Sequence, residues 1–248
     1  MFSKKIEFIS LKDYVDLNED HPIPIKLNIP EWYKKLIHTH DRKTVKGCMP
    51  FLDSMTAGYL MKVPQDININ HNVLNEETGQ LDSFYHVMDL DSALMHAKGI
   101  NLLKPTPDVH PTQQVEGSPH LEKNKNLPLM KFSNPWRIKT PPGYSCLFLP
   151  PMNNQDDRFS VIPGIVDTDT YNIEINFPFV MNGDKYPTLK TTIEKGTPMV
   201  QVIPFKRDSW KMEIKGVSTE KMREPGLFYH LRSIHIYKNK YWNKKKWN

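Results

Sequence analysis

The sequence predicts a mainly β fold of the α+β class, a Greek-key sandwich or barrel with short peripheral helices. Three observations lead there. There are 21 prolines among 248 residues, against a usual share of about 5%, and proline at that density breaks long helices and punctuates short strands. Segments such as Asp66-Ile67-Asn68-Ile69-Asn70-His71 alternate polar and apolar, the period of a half-buried strand. Short apolar runs, among them Ser145–Leu149 and Met199–Phe205, recur between turn signals, as in sandwiches and barrels.

Taken in order, His21–Ile25 reads as extended, and Pro30–Leu36 as a short helix with proline at its start and Glu31 in its first turn. Residues 48–70 read as strand, turn, strand: apolar Cys48–Leu52, then Thr56–Pro64 stopped by proline, then the alternating Asp66–His71. Asn75–Gln80 is a turn. Residues 101–128 hold five prolines and few apolar side chains, and read as a long loop. The informative core is 129–211. Leu129–Phe132 and Trp136–Thr140 lead to a turn at Pro141–Tyr144 and the buried strand Ser145–Leu149. A tight turn at Pro163–Tyr171 follows, then alternating Asn172–Phe177. Thr192–Pro198 is a strand end with a turn, and Met199–Phe205 another buried strand. Residues 218–235 begin helically behind Ser218 until Pro225-Gly226 interrupts them.

Composition bounds the function. A chain of this length buries roughly 70% of its unfolded surface and needs no metal or disulfide to hold a core. Two cysteines, Cys48 and Cys146, make no disulfide framework or CxxC pair, and their apolar neighbours predict buried thiols. No run approaches the ~18 apolar residues of a membrane span, and Met1–Glu7 lacks a signal core. The expected address is the cytoplasm. The net charge of +5 resides in residues 237–248, which hold five lysines and no acid; the remainder balances at 28 basic and 28 acidic residues. Residues 1–236 are therefore read as one globular domain and 237–248 as a basic aromatic tail.

The candidate sites carry open alternatives. Asp167 and Asp169 are paired carboxylates that could share acid and base roles or hold a divalent metal, the one cofactor considered; as turn residues, they equally serve to cap the turn's own amides. His38, His40 and Asp41 offer metal-type donors, but any of six other histidines completes such a set. His110 and His120 bound a polar loop that could line a pocket or lie on the surface. In the tail, Lys238 to Trp247 interleave lysines with aromatic rings, which suits phosphates and stacked bases or docking onto the body or a neighbouring subunit.

Residues 143–205 resemble the trimeric dUTPase and dCTP deaminase superfamily. The segments are Gly143-Tyr144, Gly164-Ile165-Val166-Asp167-Thr168-Asp169-Thr170-Tyr171, Glu174-Ile175-Asn176 and Gly196-Thr197-Pro198-Met199-Val200-Gln201-Val202-Ile203. The resemblance implies a β-clip core, a homo-oligomer, and a small polar ligand such as a nucleotide. Asp167 would orient water beside the sugar, with Asp169 beside it, and Tyr171 would stack beneath the sugar. Asn153, Gln201, His110 and His120 complete the expected ligand contacts. The pattern differs in three places: Thr170 is inserted before Tyr171, Met152-Asn153-Asn154 stands where that family has Arg-Ser, and no glycine-rich arm follows. Without that arginine and arm, several phosphate charges lose their donors. If the chain is an enzyme, the resemblance implies a nucleotide hydrolase or deaminase with degenerate motifs. The whole chain also resembles uncharacterised proteins of marine tailed phages, through Met130–Trp136, Pro142–Phe148 and Pro204–Arg207. That implies the cytoplasm of an infected host. The alternative function is a non-enzymatic interaction protein, virion-associated or host-directed.

Overall fold

The computed structural model describes residues 4–17, 20–39, 41–87, 108–222 and 237–248. In chain order these form β1 (Glu7–Ile9), α1 (Lys12–Leu17), β2 (Ile23–Pro24), α2 (Glu31–Lys34), α3 (Met49–Thr56), β3 (Tyr59–Lys62), β4 (Ile67–Leu74) and β5 (Leu81–Val87). Then come β6 (Asp108–His110), α4 (Pro119–Lys123), β7 (Leu129–Phe132), β8 (Arg137–Lys139), β9 (Tyr144–Leu149) and β10 (Phe159–Val161). Four more strands follow: β11 (Gly164–Val166), β12 (Phe177–Met181), β13 (Leu189–Ile193) and β14 (Pro198–Lys206). The protein is mainly β, with a few short helices. No helix among the described residues is long and apolar enough to cross a membrane.

The strands pair antiparallel in sheets of order β1-β8, β10-β12-β7-β6, β11-β9-β14-β3-β2 and β13-β4-β5. The core lies between the larger sheets. Met61, Cys146, Phe148, Val200 and Val202 come from the five-stranded sheet. Met130, Phe132, Phe159, Phe177 and Phe179 come from the four-stranded one, and Ile67, Ile69 and Ile193 from the three-stranded one. Phe148 meets Phe177 across the sheets at 5.6 Å between ring centroids. Phe132 stacks on Phe179 at 3.9 Å, and such a pair adds about 0.5–1.5 kcal/mol beyond the area it buries.

Strand β14 explains its own prolines. It pairs with β3 only as far as Val202 and with β9 through Lys206. Pro204, which cannot donate to a ladder, thus sits where the strand has a single neighbour. Gly58, at φ +79°, brings its backbone against β14: a Cβ there would lie 2.1 Å from the Val202 carbonyl oxygen.

Four expectations are corrected. Cys48–Leu52 is not a strand; from Met49 it winds into α3, because Pro50 is pre-set for a helix's first turn and a short apolar run does not distinguish helix from strand. Cys48 stands exposed at the mouth of that helix, whereas Cys146 is buried. Asn172–Asn176 is not a strand, although it alternates. Ile173 is exposed and Ile175 buried, and Asn134, not a ladder, serves the segment: its side-chain amide donates to the Ile175 carbonyl (3.0 Å), and its N–H donates to Asn176 Oδ1 (3.0 Å). The stretch carries the chain from the edge of one sheet to β12 of another. From residue 108 the expected long loop contains β6, a 3-10 turn at Thr112–Val115 and α4; residues 101–107 lie outside the described residues. The helical start expected after Ser218 is present at 219–222, and 223–236 lie outside the described residues.

Candidate functional site

The turn after β11 is shaped by its own backbone. The N–H groups of Thr170 and Tyr171 both donate to the Asp167 carbonyl, at 3.1 and 2.9 Å. Thr168 points inward and is fully buried. Its hydroxyl shares a 2.8 Å hydrogen bond with that of Thr140 and lies 3.3 Å from Cys146 Sγ. Burial pushes the Cys146 thiol up to about 11, so it is protonated and inert near neutrality.

With Thr168 inward, Asp167 and Asp169 flank it on the outside, and both face Arg207 at the end of β14. Arg207 Nη1 lies 2.9 Å from Asp169 Oδ1, 3.0 Å from Ser145 Oγ, 3.1 Å from the Tyr144 carbonyl and 3.2 Å from Asp167 Oδ1. Nη2 pairs with Asp169 Oδ2, which also accepts from the Gly143 N–H at 2.8 Å. Ser145 donates to Asp167 Oδ1 at 2.6 Å. The fork-like fit of guanidinium on carboxylate is the strong form of this interaction. Arg207, with help from Gly143, holds the Asp169 carboxyl down to about 2. Asp169 is therefore an anion at any physiological pH and has no proton to give as a general acid. The Asp169 side chain is 6% exposed and the Asp167 side chain 60%. Asp167, Thr170 and Tyr171 are the residues of this turn that face solvent.

The other expected site residues lie elsewhere. In the ladder, Val166 stands opposite Cys146, whereas Gln201 stands opposite Leu149. Three residues along a strand is about 10 Å, so Gln201 belongs to the far end of β9. There it is fully buried; its amide donates to the carbonyls of Ser54 (2.9 Å) and Ala57 (2.7 Å), and its oxygen accepts from the Met152 N–H (2.9 Å). Asn153 is at the same end, at φ 59°, donating to Ser54 Oγ at 2.9 Å while its carbonyl accepts from Trp32 Nε1. His110 sits on β6, at the edge of another sheet, 2.5 Å from Gln114 Oε1. His120 is on α4, where its N–H donates to the cap Ser118. The seven residues thus fall in separate places, and the turn brings together Asp167, Asp169 and Tyr171.

Arg207 and Ser145 are residues of this cluster that sequence reasoning did not single out as a site. A cation at the end of β14 is visible in the sequence. Its carboxylates, however, are 38 and 40 positions away and are met only through the β9–β14 ladder.

Among the described residues no group of three His, Cys, Asp or Glu side chains is placed to hold a metal. His38 Nδ1 accepts from the Thr44 N–H at 2.9 Å; its expected partner His40 lies outside the described residues. The tail rests on the body. Trp242 Nε1 donates to Asp53 Oδ2 at 3.0 Å, Lys245 pairs with the same carboxylate, and Trp247 meets the Tyr59 ring edge-on at 6.2 Å.

The segment after Arg207 departs from the rest. Residues 208–217 are exposed throughout, and among the described residues no backbone hydrogen bond joins 209–217 to the body. Trp210, Met212 and Ile214 are 91%, 84% and 87% exposed. Lys211, Glu213 and Lys215 alternate with them, and Lys215 pairs with Glu213 at 3.2 Å, as residues two apart do on one side of an extended chain. No family model matches the chain, and no curated protein matches its sequence.

Proposed function

We propose that this chain is a binding and assembly protein that joins another polypeptide through the arm formed by residues 208–217. The observation that carries the reading is the row of three large apolar side chains left in water. Each would gain about 1.5–3 kcal/mol on full burial, and a contiguous exposed apolar face marks an interaction surface. The Arg207 bridge supports the same reading, since it ties the two carboxylates best placed for chemistry into the root of that arm. The tailed-phage resemblance makes the virion or the infected host the setting. A photo-reactive residue at position 212, in the cells where the chain is natively made, should give a discrete cross-linked product. The same residue at exposed Lys190 should give none. Absence of a product at 212 would contradict the reading.

A second reading keeps the turn as a site for a small polar ligand such as a nucleotide. Asp167 and Tyr171, both exposed on one turn, favour it. Ligand that binds the folded chain raises its melting temperature. Nucleotides should then stabilise the wild type and leave Asp167→Ala unmoved; equal shifts in both, or none, exclude the site.

A further inference from the structure

The partner of the arm can be read from its own order of residues. Written outward from Met212, the arm has Lys211 on one side and Glu213 on the other, then Trp210 and Ile214, then Ser209 and Lys215. We infer that the arms of two copies of this chain pair antiparallel about Met212, and that this makes the protein a two-fold dimer. The inference rests on the reading of the arm as an association device and names its partner.

Antiparallel strands related by a two-fold axis place residue i opposite j and j opposite i. Centred on Met212, that register sets Lys211 against Glu213 of the other copy twice over, and Trp210 against Ile214 twice over. Met212 meets its own counterpart on the axis, and Asp208 falls opposite Gly216, which has no side chain to clash. Opposite charges and aromatic–β-branched pairs are the combinations that stabilise facing positions in a sheet. A register slipped by one residue would set Lys211 against Met212 and lose both charge pairs. The backbone is ready for it: among the described residues no backbone hydrogen bond joins 209–217 to the body, and unpaired strand groups template a second strand.

An isolated two-stranded ribbon is marginal, and its apolar face needs cover. The root of the arm supplies a surface. Arg207 is bonded to the turn that carries exposed Tyr171, with exposed Ile165 just before it and exposed Ile173 just after. These side chains suit the Trp210, Met212 and Ile214 face of the ribbon. An unlike partner chain would have no reason to match the mirrored order of Lys211 and Glu213.

Charge exchange tests both the partner and the register. The mass of the full-length chain would be measured by sedimentation for the wild type, Lys211→Glu, Glu213→Lys and the double variant. The wild type should form a dimer of the 29.0 kDa chain. Each single variant places like charges opposite each other twice and should weaken the dimer about ten-fold or more. The double variant restores both pairs and should return to wild-type affinity. These residues lie outside the core, so circular-dichroism spectra matching the wild type will confirm that the variants fold. A monomeric wild type, single variants as tight as the wild type, or no recovery in the double variant would each overturn the inference. A monomeric wild type that still cross-links through position 212 to a different polypeptide would remove the dimer and leave the association reading standing; no cross-link at all would remove both.

Discussion

Arg207 decides what the Asp167 turn can do. Its guanidinium reaches both carboxylates, Ser145 Oγ and the Tyr144 carbonyl, and so locks the end of β14 to the start of β9. The paired aspartates were visible in the sequence as candidates for chemistry or for capping. Which role prevails depends on a cation that only the folded ladder brings near. A second residue has a consequence for pH. His71, on β4, is fully buried, and burial, with a smaller contribution from Lys125, pushes its imidazole down from 6.5 to about 4. The folded chain therefore keeps it neutral where the unfolded chain would protonate it. The stability this represents is present above about pH 6.5. It declines by about 1.4 kcal/mol per pH unit as the pH falls toward 4, and levels off below that. Urea unfolding across that window should show the slope in the wild type and lose it in His71→Gln; the same slope in both would contradict the assignment.

At the scale of elements, the strands that carry the core were legible. Leu129–Phe132, Ser145–Leu149 and Met199–Phe205 each appear within a residue or two of β7, β9 and β14, because a buried strand announces itself as a short apolar run between turn signals. The alternation of β4 was equally plain, with Ile67, Ile69 and His71 on the buried side. What could not be read was where alternation fails to mean a ladder. Asn172–Asn176 has the right period, yet its carbonyl at Ile175 is satisfied by the Asn134 side chain, 41 residues away in sequence. Residues 208–217 show the converse. The Trp210-Met212-Ile214 period is that of a strand with one apolar face, but among the described residues no strand pairs with it. Sequence alone has no means of separating a strand completed within one chain from a strand awaiting another.

At the scale of the molecule, the candidate site was legible in its centre and not in its extent. Asp167, Asp169 and Tyr171 share a turn because they are close in sequence. Gln201 and Asn153 were grouped with them but lie at the opposite end of β9, tied to Ser54, since register rather than sequence distance fixes which end of a strand a residue reaches. Of the two readings of the basic tail, docking on the body is the one seen: Trp242 and Trp247 pack near Asp53 and Tyr59, while residues 208–217 stay exposed throughout. The proposed complement of this arm is the arm of a second copy. Hydrogen exchange at the amides of residues 209–217, followed in the full-length chain at high and low protein concentration, distinguishes a paired arm from a free one. Antiparallel pairing bonds every second amide to the partner strand. Slow exchange at alternate positions is expected when the protein is concentrated, reverting together to the free rate on dilution; free-rate exchange along the whole arm at every concentration would rule the pairing out.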